Sequence, residues 1–205
     1  MKYLVRTPFW LKLLYRRCIW EMPSEGNKVY LTFDDGPHEE ATPFVLDLLR
    51  QYQTRASFFC IGKNVQANPS LYQRILDEGH SVGNHTYNHK NGWSVSNNEY
   101  FDDISKTAEL VHSPYFRPPY GRIRFSQVSY LLSDLKLQPV MWSLLSGDFD
   151  DKISGEQCTE NVMKNMEPGS IIVFHDSGKA YEKIRYTLPR ILDEIKRRGW
   201  VTEKL

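Results

Sequence analysis

The chain is poor in cysteine, in long apolar runs and in net charge, and each shortage excludes something. Its 205 residues include three cysteines, Cys18, Cys60 and Cys158. They are widely spaced and odd in number, which fits neither a disulfide framework nor a zinc-finger spacing. Cys60 sits in the apolar run SFFCIG and reads as a small buried hydrophobe. A reducing compartment suits this usage. No uninterrupted apolar stretch approaches ~18 residues, so no membrane-spanning helix is expected. The formal net charge is +1, so no global field favours a nucleic-acid partner. Internal repeats, low-complexity tracts and linkers are absent as well. What remains is length enough for one substantial domain with a real core.

The first twenty residues, MKYLVRTPFWLKLLYRRCIW, lack the features of a signal peptide. Their apolar segments are short and broken by Arg6, Pro8, Lys12, Arg16 and Arg17, and no small-residue cleavage site follows. With no export signal evident, the expected location is cytoplasmic or membrane-peripheral. The segment is basic and aromatic, with no acid before Glu21. This composition permits contact of residues 1–20 with a membrane surface. The plainer reading, and the one favoured, is an extension packed on its own domain.

Strand and helix signals alternate along the rest. Strands are expected at 29–33, 57–61, 81–84, 115–116, 139–143 and 171–174, with a last one at 200–202. Helices are expected at 42–52, capped by Thr42 with Pro43 following, and at 69–79, capped by Asn68 and closed by Gly79. Further helices are expected at 97–112 behind a Ser96/Glu99 capping box, and at 126–135, 156–166 and 187–198. Such alternation implies a parallel sheet, open or closed into a barrel.

Polar groups gather at the ends of these strands. Asp34 and Asp35 follow the first, His85 the third and Arg117 the fourth. Trp142 ends the fifth and His175 follows the sixth. In a parallel α/β barrel, reactive groups converge at the carboxyl ends of strands, so these segments describe one cleft. Asp34 and Asp35 are like charges side by side, which repel if buried without compensation. His85 and His89, four apart, would share a face on a helical turn. Two imidazoles and a carboxylate make a common divalent-metal site. One aspartate can then bind the metal while the other stays free as a base.

The motifs TFDDGP (32–37), HTYNH (85–89), FRPPYG (116–121) and IIVFHD (171–176) occur in that order. Together they resemble the NodB-homology polysaccharide deacetylases, the family-four carbohydrate esterases. The resemblance spans about residues 28–205. It divides the chain into an N-terminal extension, 1–26, and a catalytic domain, 27–205. It implies an irregular, incomplete (β/α) barrel of parallel strands. Residue by residue, it makes Asp34 the general base and Asp35 a metal ligand with His85 and His89. It makes Arg117 the group that orients the base, and Tyr120 a backbone N–H donor to the oxyanion. His175 becomes the general acid. Thr86 would fix the histidine loop by hydrogen bonding. Pro118, Trp142 and Val173 would wall the acetyl pocket, Val173 where the family often has leucine. The implied cofactor is one divalent ion, zinc as first choice, with cobalt or nickel as substitutes. The implied partner is an acetylated saccharide, and the implied state is a monomer. His80 reads as structural.

One stretch departs from the family. Where an acidic residue is usual in a WxxDxxDW pattern, this chain reads MWSLLSGDFD, with Leu145 in the first acidic place. Either Asp148 supplies the partner from a shifted loop, or the histidine is tuned otherwise. The implied activity is hydrolysis of N-acetyl groups: water activated by the metal attacks the carbonyl, with Asp as base and His as acid. Two alternatives stand beside it. One is O-acetyl esterase or other amide hydrolase activity at the same site. The other is a non-catalytic glycan-binding relative, against which the intact acid, base and metal set argues.

Overall fold

Along β1 (Lys28–Asp34) the side chains alternate between two layers. Val29, Leu31 and Phe33 join the main apolar cluster. Tyr30 joins a separate small cluster, and Thr32 and Asp34 bond to Arg117. The same alternation runs through β2 (Ser57–Cys60) and β7 (Ile171–His175), as the period of two requires. Phe58, Cys60, Ile172 and Phe174 face the main cluster, and Phe59 and Ile171 the small one.

The computed structural model describes residues 4–205; residues 1–3, the start of the basic extension, lie outside the described residues. Besides those three strands the chain forms β3 (Ser81–Asn84), β4 (Tyr115–Phe116), β5 (Gln138–Pro139), β6 (Leu144–Leu145) and β8 (Val201–Thr202). The order is β5-β4-β3-β2-β1-β7-β6, with β8 beside β1, and every pair is parallel. This is the curled, incomplete barrel expected. Helices α2 (Ala41–Gln51), α4 (Pro69–Asp77), α7 (Gly155–Asn165) and α8 (Tyr181–Arg197) pack apolar stripes against its outer face. A second cluster lies under α5 (Asn97–Ala108) and α6 (Phe125–Ser133). Among the described residues, no helix is long and apolar enough to cross a membrane. All three cysteines are buried and free.

The N-terminal segment meets both edges of the curled sheet. Arg6 bridges Leu144 of β6, and Ile19 bridges Val140 just beyond β5. Glu21 bridges Ser170 ahead of β7. Cys18 and Trp20 are buried in the second cluster. Covered edges remove the unpaired backbone groups that would otherwise template association.

Several local expectations need correction. Of the fifth strand, expected at 139–143, only Pro139 is in a strand, β5, and residues 140–143 run irregularly to β6, because the carbonyls of Val140 and Met141 turn to the Arg117 guanidinium. Thr42 does not cap α2; its hydroxyl accepts from the His38 N–H and donates to Asp176. Asn68 makes no capping bond to α4; its amide donates to the carbonyls of Pro37 and Asn64 instead. The last helix starts at Tyr181 and runs through Pro189. Its buried stripe of Ile184, Leu188, Ile191, Leu192 and Ile195 outweighs the lost hydrogen bond. The short helix α3 (Gly62–Ala67) was not foreseen.

Candidate active site

Arg117 is the centre of the site and is fully buried. Its Nη1 donates to Asp34 Oδ1 and to Thr32 Oγ1, both at 2.7 Å. Nε donates to the Val140 carbonyl at 3.2 Å and Nη2 to the Met141 carbonyl at 2.9 Å. Its guanidinium lies 4.0 Å over the Phe59 ring. A planar, five-donor cation is one of few groups that can be buried here with its donors satisfied. Asp34, nearly as buried, is thereby fixed in charge partner and direction.

Asp35 turns the other way. Its φ is +81°, the left-handed region that costs a non-glycine residue energy. Asn64, from α3, donates to the Asp35 carbonyl at 2.7 Å and holds the conformation. Asp35 Oδ1 then faces His89 Nε2 at 3.2 Å and His85 Nε2 at 3.6 Å.

The two histidines do not share a helical turn, as their spacing suggested. Residues 85–89 form an irregular loop, with φ of +61° at Thr86 and +56° at His89. Three buried polar groups shape it. Asn84 accepts from the Thr86 N–H and donates to the Ile104 carbonyl. Asp103 accepts from the N–H groups of Tyr87 and Asn88. Thr86 Oγ1 accepts from the Lys90 N–H at 3.0 Å, the loop-fixing role expected of it. His85 Nδ1 donates to the Arg117 carbonyl at 2.8 Å. A carbonyl only accepts, so Nδ1 carries the proton and the Nε2 lone pair points at Asp35. Burial lowers His85 to about 4, against the pull of Asp34, so its ring is neutral at pH 7.

This donor set fits a divalent cation. One ligand atom from each of Asp35, His85 and His89 lies within 4.8 Å of the others. Asp35 Oδ1 is buried without an aligned hydrogen-bond donor, which is what a ligand oxygen without its ion looks like. Burial would raise the Asp35 carboxyl, but His89, His175 and His85 together hold it well below the usual carboxylate range. Among the described residues, these three are the group able to hold such a cation.

Beside β1, β7 ends in His175, the register partner of Asp34. Asp148 accepts from His175 Nδ1 at 2.8 Å and from the His175 backbone N–H at 2.7 Å. Of the two alternatives that the sequence left open, the structure has the Asp148 partner. Leu145 is buried in β6. Burial opposes a charged His175 ring, but Asp148 in contact, with Asp35 and Asp34 beyond, raises it to about 10. Phe149 stands edge-on to the ring at 5.3 Å.

Tyr120 sits at the top of the Pro118–Pro119 turn with φ of +60°. The turn closes through Gly121 N to Pro118 O and Arg122 N to Pro119 O, and neither bond uses the Tyr120 N–H. Its hydroxyl meets His89 Nδ1 at 3.1 Å. Of the residues expected in the acetyl pocket, Trp142 packs on Gly121, where a Cβ would stand 2.6 Å from the ring. Val173 is buried on the His175 side of β7, and Pro118 is buried within the turn.

Asp176 was missed. It accepts from the Gly36 N–H at 3.1 Å and from Thr42 Oγ1 at 2.5 Å, tying the Asp34–Asp35 turn to the end of β7. Burial raises it to about 8, with Asp35 adding to the rise and Thr42 opposing it. Its only sequence signal was adjacency to His175. Asn84 and Asp103 carried no signal beyond a polar residue before a motif and an acid on an amphipathic helix.

The comparisons agree with this geometry. The family profile described as polysaccharide deacetylase matches residues 21–140. A peptidoglycan-N-acetylglucosamine deacetylase of Bacillus cereus is 38% identical over 187 residues, covering 88% of this chain and 87% of that protein. A second B. cereus protein of the same name is 38% identical over 184 residues, 86% of this chain. This chain spans 66% of that relative's length. A crystal structure of a peptidoglycan N-acetylglucosamine deacetylase, in complex with 4-naphthalen-1-yl-N-oxidanyl-benzamide, superposes with a TM-score of 0.88 at 34% identity. That match covers 97% of this chain and 95% of the other. The chain belongs to the polysaccharide deacetylase family.

Proposed function

We propose that this protein hydrolyses the acetamido group of N-acetylglucosamine units in a peptidoglycan-type glycan, with one divalent ion, zinc first, held by Asp35, His85 and His89. The observation that carries the reading is two fixed arms at neighbouring strand ends, where Asp34 of β1 and His175 of β7 are register partners. One arm is Asp34 locked on Arg117; the other is His175 locked on Asp148. A binding module has no use for an aimed carboxylate and an imidazolium held side by side.

A divalent ion there supplies Lewis acidity, polarising the acetyl carbonyl and making water a nucleophile at neutral pH. The chain's own residues do the rest. Asp34, aimed by Arg117, takes the proton from the attacking water. The Tyr120 N–H donates to the oxygen of the carbonyl as negative charge grows on it. His175, kept protonated by Asp148, gives its proton to the departing amine. Exposed aromatic faces suit a saccharide. Trp93, in the loop after His89, has one face under the Arg122 guanidinium at 4.4 Å and remains half exposed. Tyr120 is also exposed.

The test is acetate release from N-acetylglucosamine oligomers, peptidoglycan and O-acetylated xylan, before and after chelation and zinc return. N-deacetylation that chelator abolishes and zinc restores is expected. Release from the O-acetylated polymer alone would move the assignment to an esterase. Glycan binding without acetate release by the zinc-loaded protein would make it a non-catalytic relative.

A further inference from the structure

Helix α1 (Phe9–Leu14) wears its apolar face outward. Phe9 is 77% exposed, Trp10 and Leu13 62% each, and Leu14 54%, with Leu4 just before the helix at 60%. Phe9 and Leu13 are four apart, as are Trp10 and Leu14, so the four side chains share one side of the helix. The opposite side is already occupied. Leu11 and Tyr15 pack on the cluster of Cys18, Trp20 and Ile123. The Tyr15 ring stacks on Phe125 at 4.4 Å, and its hydroxyl donates to the Ile123 carbonyl. Phe125 is itself 54% exposed. A surface helix normally shows water its polar side. A contiguous apolar patch rimmed by charge marks an interaction surface.

We propose that this patch docks the protein on an anionic lipid surface. The inference goes beyond the deacetylase reading and does not depend on it. Charge selects the occupant. Arg6, Lys12, Arg16 and Arg17 flank or interleave these apolar residues along the chain, and residues 4–20 hold no acid. Arg6 pairs with Glu167 and Lys12 with Glu21, whereas Arg16 and Arg17 stay exposed. Two-fold pairing of this face with a second copy would bring those arginines together, which disfavours a dimer. Anionic headgroups instead accept them while Phe9, Trp10, Leu13 and Leu14 enter the acyl boundary. The patch is rigidly mounted: the Thr7 N–H donates to the Ser143 carbonyl at 2.9 Å, and Thr7 Oγ1 donates to the Trp142 carbonyl at 2.8 Å. Docking therefore holds the Trp142 side of the cleft in a set relation to the surface.

The experiment is sedimentation of the full chain with vesicles of phosphatidylcholine alone or mixed with phosphatidylglycerol. Binding to the anionic vesicles is expected, much stronger than to the neutral ones. It should fall steeply as salt rises to about 0.5 M, where screening is nearly complete. Trp10→Ser with Leu13→Ser should lower partitioning by about tenfold or more, and Arg16→Glu with Arg17→Glu by a similar factor. Acetate release from a soluble oligomer should not change in either variant, because none of these side chains touches the site. A wild-type chain that ignores anionic vesicles overturns the proposal. So does binding indifferent to both double variants, or a wild-type dimer that Trp10→Ser with Leu13→Ser dissociates.

Discussion

Asp148→Asn tests the acid arm of the site. Asp148 is fully buried, and its two carboxylate oxygens accept the His175 Nδ1–H and the His175 backbone N–H. Asparagine keeps one acceptor and replaces the other with an NH2 group that faces a donor. The charge vanishes as well. Against an opposing effect of burial, Asp148 leads the groups that carry His175 from 6.5 to about 10. At 1.36 kcal/mol per pH unit that rise is roughly 5 kcal/mol. Asp35 and Asp34 contribute part of it, and a divalent ion held by Asp35 would oppose it. Losing Asp148 should therefore move the alkaline limb of the rate profile acidward by about 2 pH units or more. At pH 7.5 turnover should fall by ~10²–10⁴, the usual cost of losing a general acid. Stability has its own sign. A histidine raised on folding stabilises fully below its unfolded value near 6.5, and that contribution disappears as pH rises through about 10. Urea unfolding of the wild type should weaken across that window, and the variant should lose the slope along with about 2–4 kcal/mol at pH 6.5. Acetate release against pH, with metal content measured in parallel, is the assay. A variant with wild-type turnover, full metal and an unmoved alkaline limb would refute the role given to Asp148 and, through it, to His175.

Asp34→Asn should keep metal and fold yet lose ~10²–10⁴ in turnover, whereas Asp35→Asn should lose metal affinity and regain some activity in excess zinc; the reverse pattern by elemental analysis would exchange the two roles. His85→Ala should abolish the single divalent ion per chain, and a His85→Ala, His89→Ala chain that still holds a full equivalent would remove the site. Arg117→Lys should cost about 3–5 kcal/mol in urea, since an ammonium cannot serve Asp34, Thr32 and two carbonyls at once; an unchanged midpoint would show that those bonds contribute nothing.

The strands and most helices were legible because burial patterns are local. Val29, Leu31 and Phe33 announce β1, and the apolar spacing of Leu188 to Ile195 announces α8 from Thr187 on, though not its first two turns. What was misread had its cause elsewhere in the chain. Residues 139–143 look like a strand until Arg117, more than twenty residues away, takes two of their carbonyls. Thr42 looks like a cap until Asp176 takes its hydroxyl. The histidine pair was right in its partners and wrong in its backbone, because the loop depends on Asn84 and Asp103 beneath it. Reactive side chains stand out at strand ends; the polar groups that aim them look like any others until the fold buries them.

Gly36 shows how such an aim can be tested. Its place in TFDDGP suggests a turn glycine, yet Gly36 is absent from the positive-φ residues. What requires glycine is the Asp176 carboxylate, which a Cβ would overlap. Asp176 reaches back from the end of β7 to accept the Gly36 N–H. It can give way little, because it is fully buried and also holds Thr42. Gly36→Ala must therefore push the turn off Asp176. Asp35, the preceding residue, would move with it, whereas Asp34 remains tied to Arg117. The expected result is a folded chain with zinc affinity lowered by about tenfold or more, in the range seen when groups supporting a metal ligand are lost. Excess zinc should restore part of the turnover. Zinc titration followed by acetate release separates the outcomes. If Gly36→Ala binds zinc and turns over as the wild type does, Asp176 does not position the ligand, and the coupling between β1 and β7 drawn here is wrong.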